Sequence, residues 1–203
     1  ILLHLLFNNN RNTIRLEGNS LSYNFELPLT GTLHKGIIKD IEETVLHAST
    51  FTWINLYGEA GIGKTRIIEE LSRGFWQNNV RTLFFTCENS KKQSTFDSLL
   101  RYINKNSVKE IIATNLKDLF LQLNDKLLWT VVVIEDIHNA DEHFLKMLQE
   151  FLKETNVDAS ILLITAGRDD YTVYNETYFS FLETLKIFNP SYMHNYHVTE
   201  LMD

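Results

Sequence analysis

The chain has 203 residues, of which 44% are hydrophobic and 22% charged, enough to bury one substantial core in a globular rather than a disordered domain. A formal net charge of −7 argues against direct nucleic-acid binding through this segment, because phosphate contacts need clustered Lys and Arg. The single cysteine, Cys87, excludes an internal disulfide and points to a reducing, cytoplasmic setting.

In chain order, the opening ILLHLLF reads as a short apolar helix, too short to span a bilayer and without the flanks of a signal peptide. No membrane association is expected. TIRLE and LSYNFEL alternate around Gly18-Asn19 and suggest a hairpin. Residues 1–27 are therefore expected to form an N-terminal appendage or the tail of a preceding domain.

From there the pattern becomes one of helices alternating with apolar strands. HKGIIKDIEETVLHA carries Ile37, Ile38, Ile41 and Val45 at helical spacing. FTWINLY, TLFFTC, TVVVIED, SILLITAG and YHVTEL read as strands. KTRIIEELSRGFWQ, STFDSLLRYI, LKDLFLQLNDKL, DEHFLKMLQEFLKE and ETYFSFLETLKIF read as helices, with Leu145, Leu148 and Leu152 on one face of the fourth. Strands as apolar as VVVI and ILLI must be covered on both faces, which implies a parallel α/β sheet between helical layers.

One stretch carries chemistry on its own. GEAGIGKT, residues 58–65, fits G-x-x-x-x-G-K-[ST] and lies between a strand and a helix. Gly58, Gly61 and Gly63 let the backbone turn its N–H groups onto phosphate oxygens without a Cβ in the way. The helix that follows directs its positive end at the same anion. Lys64 supplies a point charge for the β- and γ-phosphates, and Thr65 offers a hydroxyl to Mg²⁺. The residues expected around a bound nucleotide are Gly58, Glu59, Ala60, Gly61, Ile62, Gly63, Lys64, Thr65 and Arg66.

TVVVIED looks like the Walker B strand of P-loop NTPases, with GEAGIGKT as Walker A. With the later strand ITAGR, the chain from about residue 28 onward resembles the AAA+ and STAND-type signal-transduction ATPases. LPLTGTLHKGIIKDIEE is similar to that family's leading segment, with Thr32 and Leu33 where Arg-Glu is usual. IEDIHNADEHFL is similar to its acid-acid-x-H-W-x-D run, with Asn139 in place of the Trp.

The resemblance implies a P-loop NTPase three-layer α/β/α sandwich over residues 28–203, with a mainly parallel five-stranded sheet in the order 5-1-4-3-2. The family's helical lid would follow residue 203. The resemblance also implies ATP as ligand and Mg²⁺ as cofactor, with Thr65 and Glu135 as metal ligands. Lys64, Glu135, Asp136 and Arg168 are the implied catalytic set: Asp136 orients the water, and Thr165 or Arg168 senses the γ-phosphate. His138 and Asp141 are implied only as supporting residues, and Asp141 is at least as well suited to be a helix N-cap.

Two functions stay open. The first is an ATP-hydrolysing switch domain in a larger signalling protein, contacting neighbouring domains and able to self-associate. The second is a nucleotide-binding module with little or no hydrolysis. The family's usual order is Asp then Glu, and Glu135-Asp136 inverts it. A small-molecule kinase would need an acceptor pocket and lid that the sequence does not offer.

Overall fold

The computed structural model describes residues 32–48, 50–77, 80–88, 93–124, 129–153, 157–170, 175–187 and 191–199. The expected appendage, residues 1–27, lies outside them. Six helices and five strands follow in order: α1 Thr32–His47, β1 Thr52–Tyr57, α2 Lys64–Gln77, β2 Arg81–Thr86, α3 Thr95–Lys105, α4 Leu116–Leu123, β3 Thr130–Glu135, α5 Glu142–Phe151, β4 Ile161–Gly167, α6 Glu176–Ile187 and β5 Met193–His197. A single 3₁₀ turn, Ile137–Asn139, follows β3.

The strands form one parallel sheet in the order β2-β3-β4-β1-β5, the expected order read from the opposite edge. Alternation of side chains across each strand splits the apolar residues between two cores. Trp53, Leu83, Val132, Ile134 and Leu163 face α3, α4, α5 and α6. Ile54, Leu56, Val131, Val133, Leu162 and Ile164 face α1 and α2. Helices thus cover both faces, and β3 and β4 read as continuous apolar runs for that reason.

Helix starts are fixed by side-chain caps. Ser94 accepts from the Asp97 amide ahead of α3, Asn115 from the Asp118 amide ahead of α4, and Asp141 from the Phe144 amide ahead of α5. Asn175 accepts from the Tyr178 amide in the same way.

One buried polar chain crosses the sheet. The Trp53 indole donates to the Thr165 hydroxyl (2.9 Å), which donates to Asn55 Oδ1 (2.9 Å). Asn55 Nδ2 donates to Asn195 Oδ1 (3.1 Å), and Asn195 Nδ2 to the Leu185 carbonyl (2.8 Å). Three strands and α6 are thereby joined inside the core. The last strand begins earlier than YHVTEL suggests, because Met193 is buried against Trp53 and Asn195 answers Asn55. Its polar residues are pairing groups, which apolar patterning cannot reveal.

Candidate functional site

In a parallel sheet all carboxyl ends lie along one edge, and ligands gather there. Strand β4 stands between β1 and β3, so the segments leaving these three strands are neighbours. They carry the glycine-rich stretch, the acidic pair and Arg168.

The stretch after β1 depends on its glycines. Gly58, Gly61 and Gly63 have φ of 151°, 77° and 104°. A Cβ on Gly58 would lie 2.2 Å from the Val198 carbonyl oxygen, and one on Gly63 2.9 Å from His34 Nε2. That histidine, on α1, donates from Nε2 to the Ile62 carbonyl (2.8 Å). It therefore holds the far side of the loop from 28 residues upstream. Nothing in the local sequence marks His34 for this task.

Helix α2 begins at Lys64, and its first turn closes from the Ile67 amide to the Gly63 carbonyl (3.0 Å). The Lys64 ammonium folds back onto the carbonyls of Gly58 (2.7 Å) and Glu59 (2.6 Å). Burial lowers its pKa, and nearby Arg168 acts in the same direction, while Asp169, Asp136 and Asp170 oppose them. The Ala60 amide donates to Asp170 Oδ2 (3.0 Å). The Arg66 guanidinium runs along its own helix and meets Glu69 (3.1 Å) and Glu70 (3.8 Å).

Thr65 and Glu135, expected to share a metal, lie close together: both line one crevice beside Ile68 and Glu69. Burial raises the Glu135 pKa, Asp136 and Glu69 raise it further, and the Thr65 hydroxyl works against them. A half-buried carboxylate beside a hydroxyl suits a divalent cation, which would favour its charged form. Among the described residues no three His, Cys, Asp or Glu side chains cluster for a metal. A cation at Thr65 and Glu135 would complete its shell with phosphate oxygens and water, as Mg²⁺ commonly does.

Asp136 has φ 52°, the left-handed region rarely used by non-glycine residues. Its Oδ1 lies 4.0 Å from Nδ1 of His138, a buried ring packed near Tyr178. That Nδ1 makes no hydrogen bond among the described residues. Burial lowers the His138 pKa, Asp136 raises it, and Arg168 and Lys64 lower it further.

Asp141 proves to be a cap. It accepts from the Phe144 amide (2.9 Å) and the Thr95 amide, and its own amide donates to the Thr95 hydroxyl (3.0 Å). Burial pushes its pKa up, but these hydrogen bonds outweigh that and leave it lowered. It ties α5 to α3. Thr165 is likewise occupied, with its hydroxyl both accepting and donating in the buried chain. Arg168 is half-buried just beyond β4, near enough to influence both Lys64 and His138.

Asp169 faces His197 Nε2 (3.2 Å), whose ring stacks on Tyr57 at 4.8 Å. The Lys186 ammonium lies over the same tyrosine at 5.4 Å from its centroid. No helix among the described residues is long and apolar enough to cross a membrane.

Residues 49–170 match the model of a family described as AAA domain. Solved structures share the fold, the following two among them. Cdc6p from Pyrobaculum aerophilum has a TM-score of 0.55 and 17% identity, over 87% of this chain and 47% of its own. The ORC2 protein of Aeropyrum pernix, described as ADPNP–ADP complexes, has a TM-score of 0.53 and 13% identity, over 87% of this chain and 50% of its own. The chain thus spans about half the length of either. No curated protein matches it.

Proposed function

Because the chain belongs to the AAA-domain family of P-loop NTPases, an ATPase-type nucleotide-binding domain of the AAA+ type, we propose that it binds ATP with Mg²⁺ and hydrolyses it. In this reading it is a switch domain in a larger signalling or regulatory protein of the STAND type. The observation that carries this reading is the closeness of Thr65 and Glu135, which line one crevice where the helix after the glycine-rich loop meets the acidic end of β3. GEAGIGKT is then Walker A and VVVIED Walker B.

The loop amides and Lys64 bind the phosphates, and the lysine must leave the Gly58 and Glu59 carbonyls to do so. Thr65 and Glu135 would hold Mg²⁺, which would supply charge neutralisation at the phosphates. Asp136 orients the attacking water and accepts its proton. Arg168, always charged, reads the γ-phosphate from the end of β4. A change in that contact passes to neighbouring domains or to a second copy of the chain. A cytoplasmic setting goes with this reading, supported by one buried cysteine.

The test separates binding from turnover. Lys64→Ala should weaken ATP binding about ten- to hundredfold, the worth of a charge-assisted contact. Asp136→Asn should leave the ATP Kd within about threefold and lower kcat about 10²- to 10⁴-fold, as removal of a general base does. Wild-type protein that binds ATP tightly and releases no phosphate would favour the second reading, a binding module. The Asp136 carboxylate facing His138 and the inverted acidic order motivate that alternative.

A further inference from the structure

A carboxylate already occupies part of the loop that is built for anions. The Ala60 amide points at Asp170 Oδ2 from 110 residues away in sequence. Asp169 and Asp170 both act on Lys64, and Asp169 is held by His197 against the stacked Tyr57. Lys64 itself is satisfied by loop carbonyls. The loop thus hydrogen-bonds the protein's own groups, Asp170 and Lys64.

We propose that Asp170 is an internal competitor for the phosphate-binding loop: a residue that sets nucleotide affinity and is displaced when phosphate enters. The inference rests on the loop binding phosphate, as the preceding reading holds. The physical argument is competition for one amide. A phosphate oxygen that accepts from Ala60 must evict Asp170 Oδ2, and two carboxylates near Lys64 repel the incoming anion. Asp170 lies two residues after Arg168. Its release would free the segment that positions the guanidinium, so loop occupancy and Arg168 placement become one event.

The experiment measures Kd for ADP, for MgATP and for pyrophosphate without metal, in wild type, Asp170→Ala, Asp170→Asn and Asp169→Asn. Asp170→Ala should bind all three roughly three- to tenfold tighter, the range for a partly exposed charged hydrogen bond. Asp170→Asn should fall between it and wild type, because the amide oxygen still accepts from Ala60. Asp169→Asn makes the same charge change without that hydrogen bond and should gain less. Hydrogen exchange at the Ala60 amide gives a second readout. It should quicken in ligand-free Asp170→Ala and slow again with ADP.

Unchanged or weaker binding in Asp170→Ala would overturn the proposal, as would a loss seen only with Mg²⁺, which marks a metal ligand. If neither protein binds nucleotide but Asp170→Ala gains pyrophosphate affinity, the competitor stands and the ATP reading falls. If neither binds nucleotide nor pyrophosphate, both fall.

Discussion

At the scale of single residues, Glu135 has two opposed preferences. Burial favours its neutral form, whereas the metal proposed beside Thr65 favours its anion. A carboxyl whose folded pKa is raised binds protons more tightly in the native state. Its ionisation therefore costs stability as pH rises from the ordinary value of 4.5 through the raised one. Glu135→Gln should melt higher than wild type at pH 7 without nucleotide, and the gap should close as pH falls toward 4.5. The same variant should lose Mg²⁺-dependent turnover. A melting curve across pH and a phosphate-release assay read the two effects separately.

Residues of this kind were unequally legible. Lys64 and Thr65 follow from spacing, since a glycine-rich turn between strand and helix limits what the next residues can face. His34 and Asp170 do not. Each meets the loop through folding over a long sequence separation, and neither belongs to a local pattern.

At the scale of elements, the buried polar chain is the feature most exposed to mutation. Asn55 sits mid-strand in β1, where its side chain takes the Thr165 proton and serves Asn195. Asn55→Ala leaves the buried Thr165 hydroxyl without its acceptor and the half-buried Asn195 without its donor, and a buried unsatisfied group costs about 1–3 kcal/mol. The total expected is about 2–4 kcal/mol, measurable by denaturant unfolding. Asp141→Ala removes the α5 cap and the acceptor for the Thr95 amide. It should cost about 1–2 kcal/mol, with hydrogen exchange quickening at the starts of α3 and α5.

Elements with strong apolar patterns emerged where the sequence placed them. Leu145, Leu148 and Leu152 are all buried, as one-face spacing implies. The exceptions are short or polar. Neither β5 nor the turn at Ile137–Asn139 has a hydrophobic period, and both are shaped by contacts to other strands. The left-handed Asp136 is equally invisible, because nothing in IEDIH demands a positive φ there.

At the scale of the molecule, a parallel sheet between helical layers follows from strands covered on both faces, whereas its order was legible only through the family resemblance. Placing β4 between β1 and β3 sets the strand that ends at Arg168 beside both the glycine-rich loop and the acidic pair. That adjacency has an optical side. Trp53 is wholly buried, while Trp76 is 38% exposed. The Trp53 indole is hydrogen-bonded to Thr165, three residues before Arg168 on the same run of chain. Trp53 is thus a fluorophore hydrogen-bonded to the strand that runs into Arg168. If that strand shifts on ligand binding, the Trp53 emission should change, an effect that a Trp76→Phe, Trp129→Phe variant reads from this ring alone.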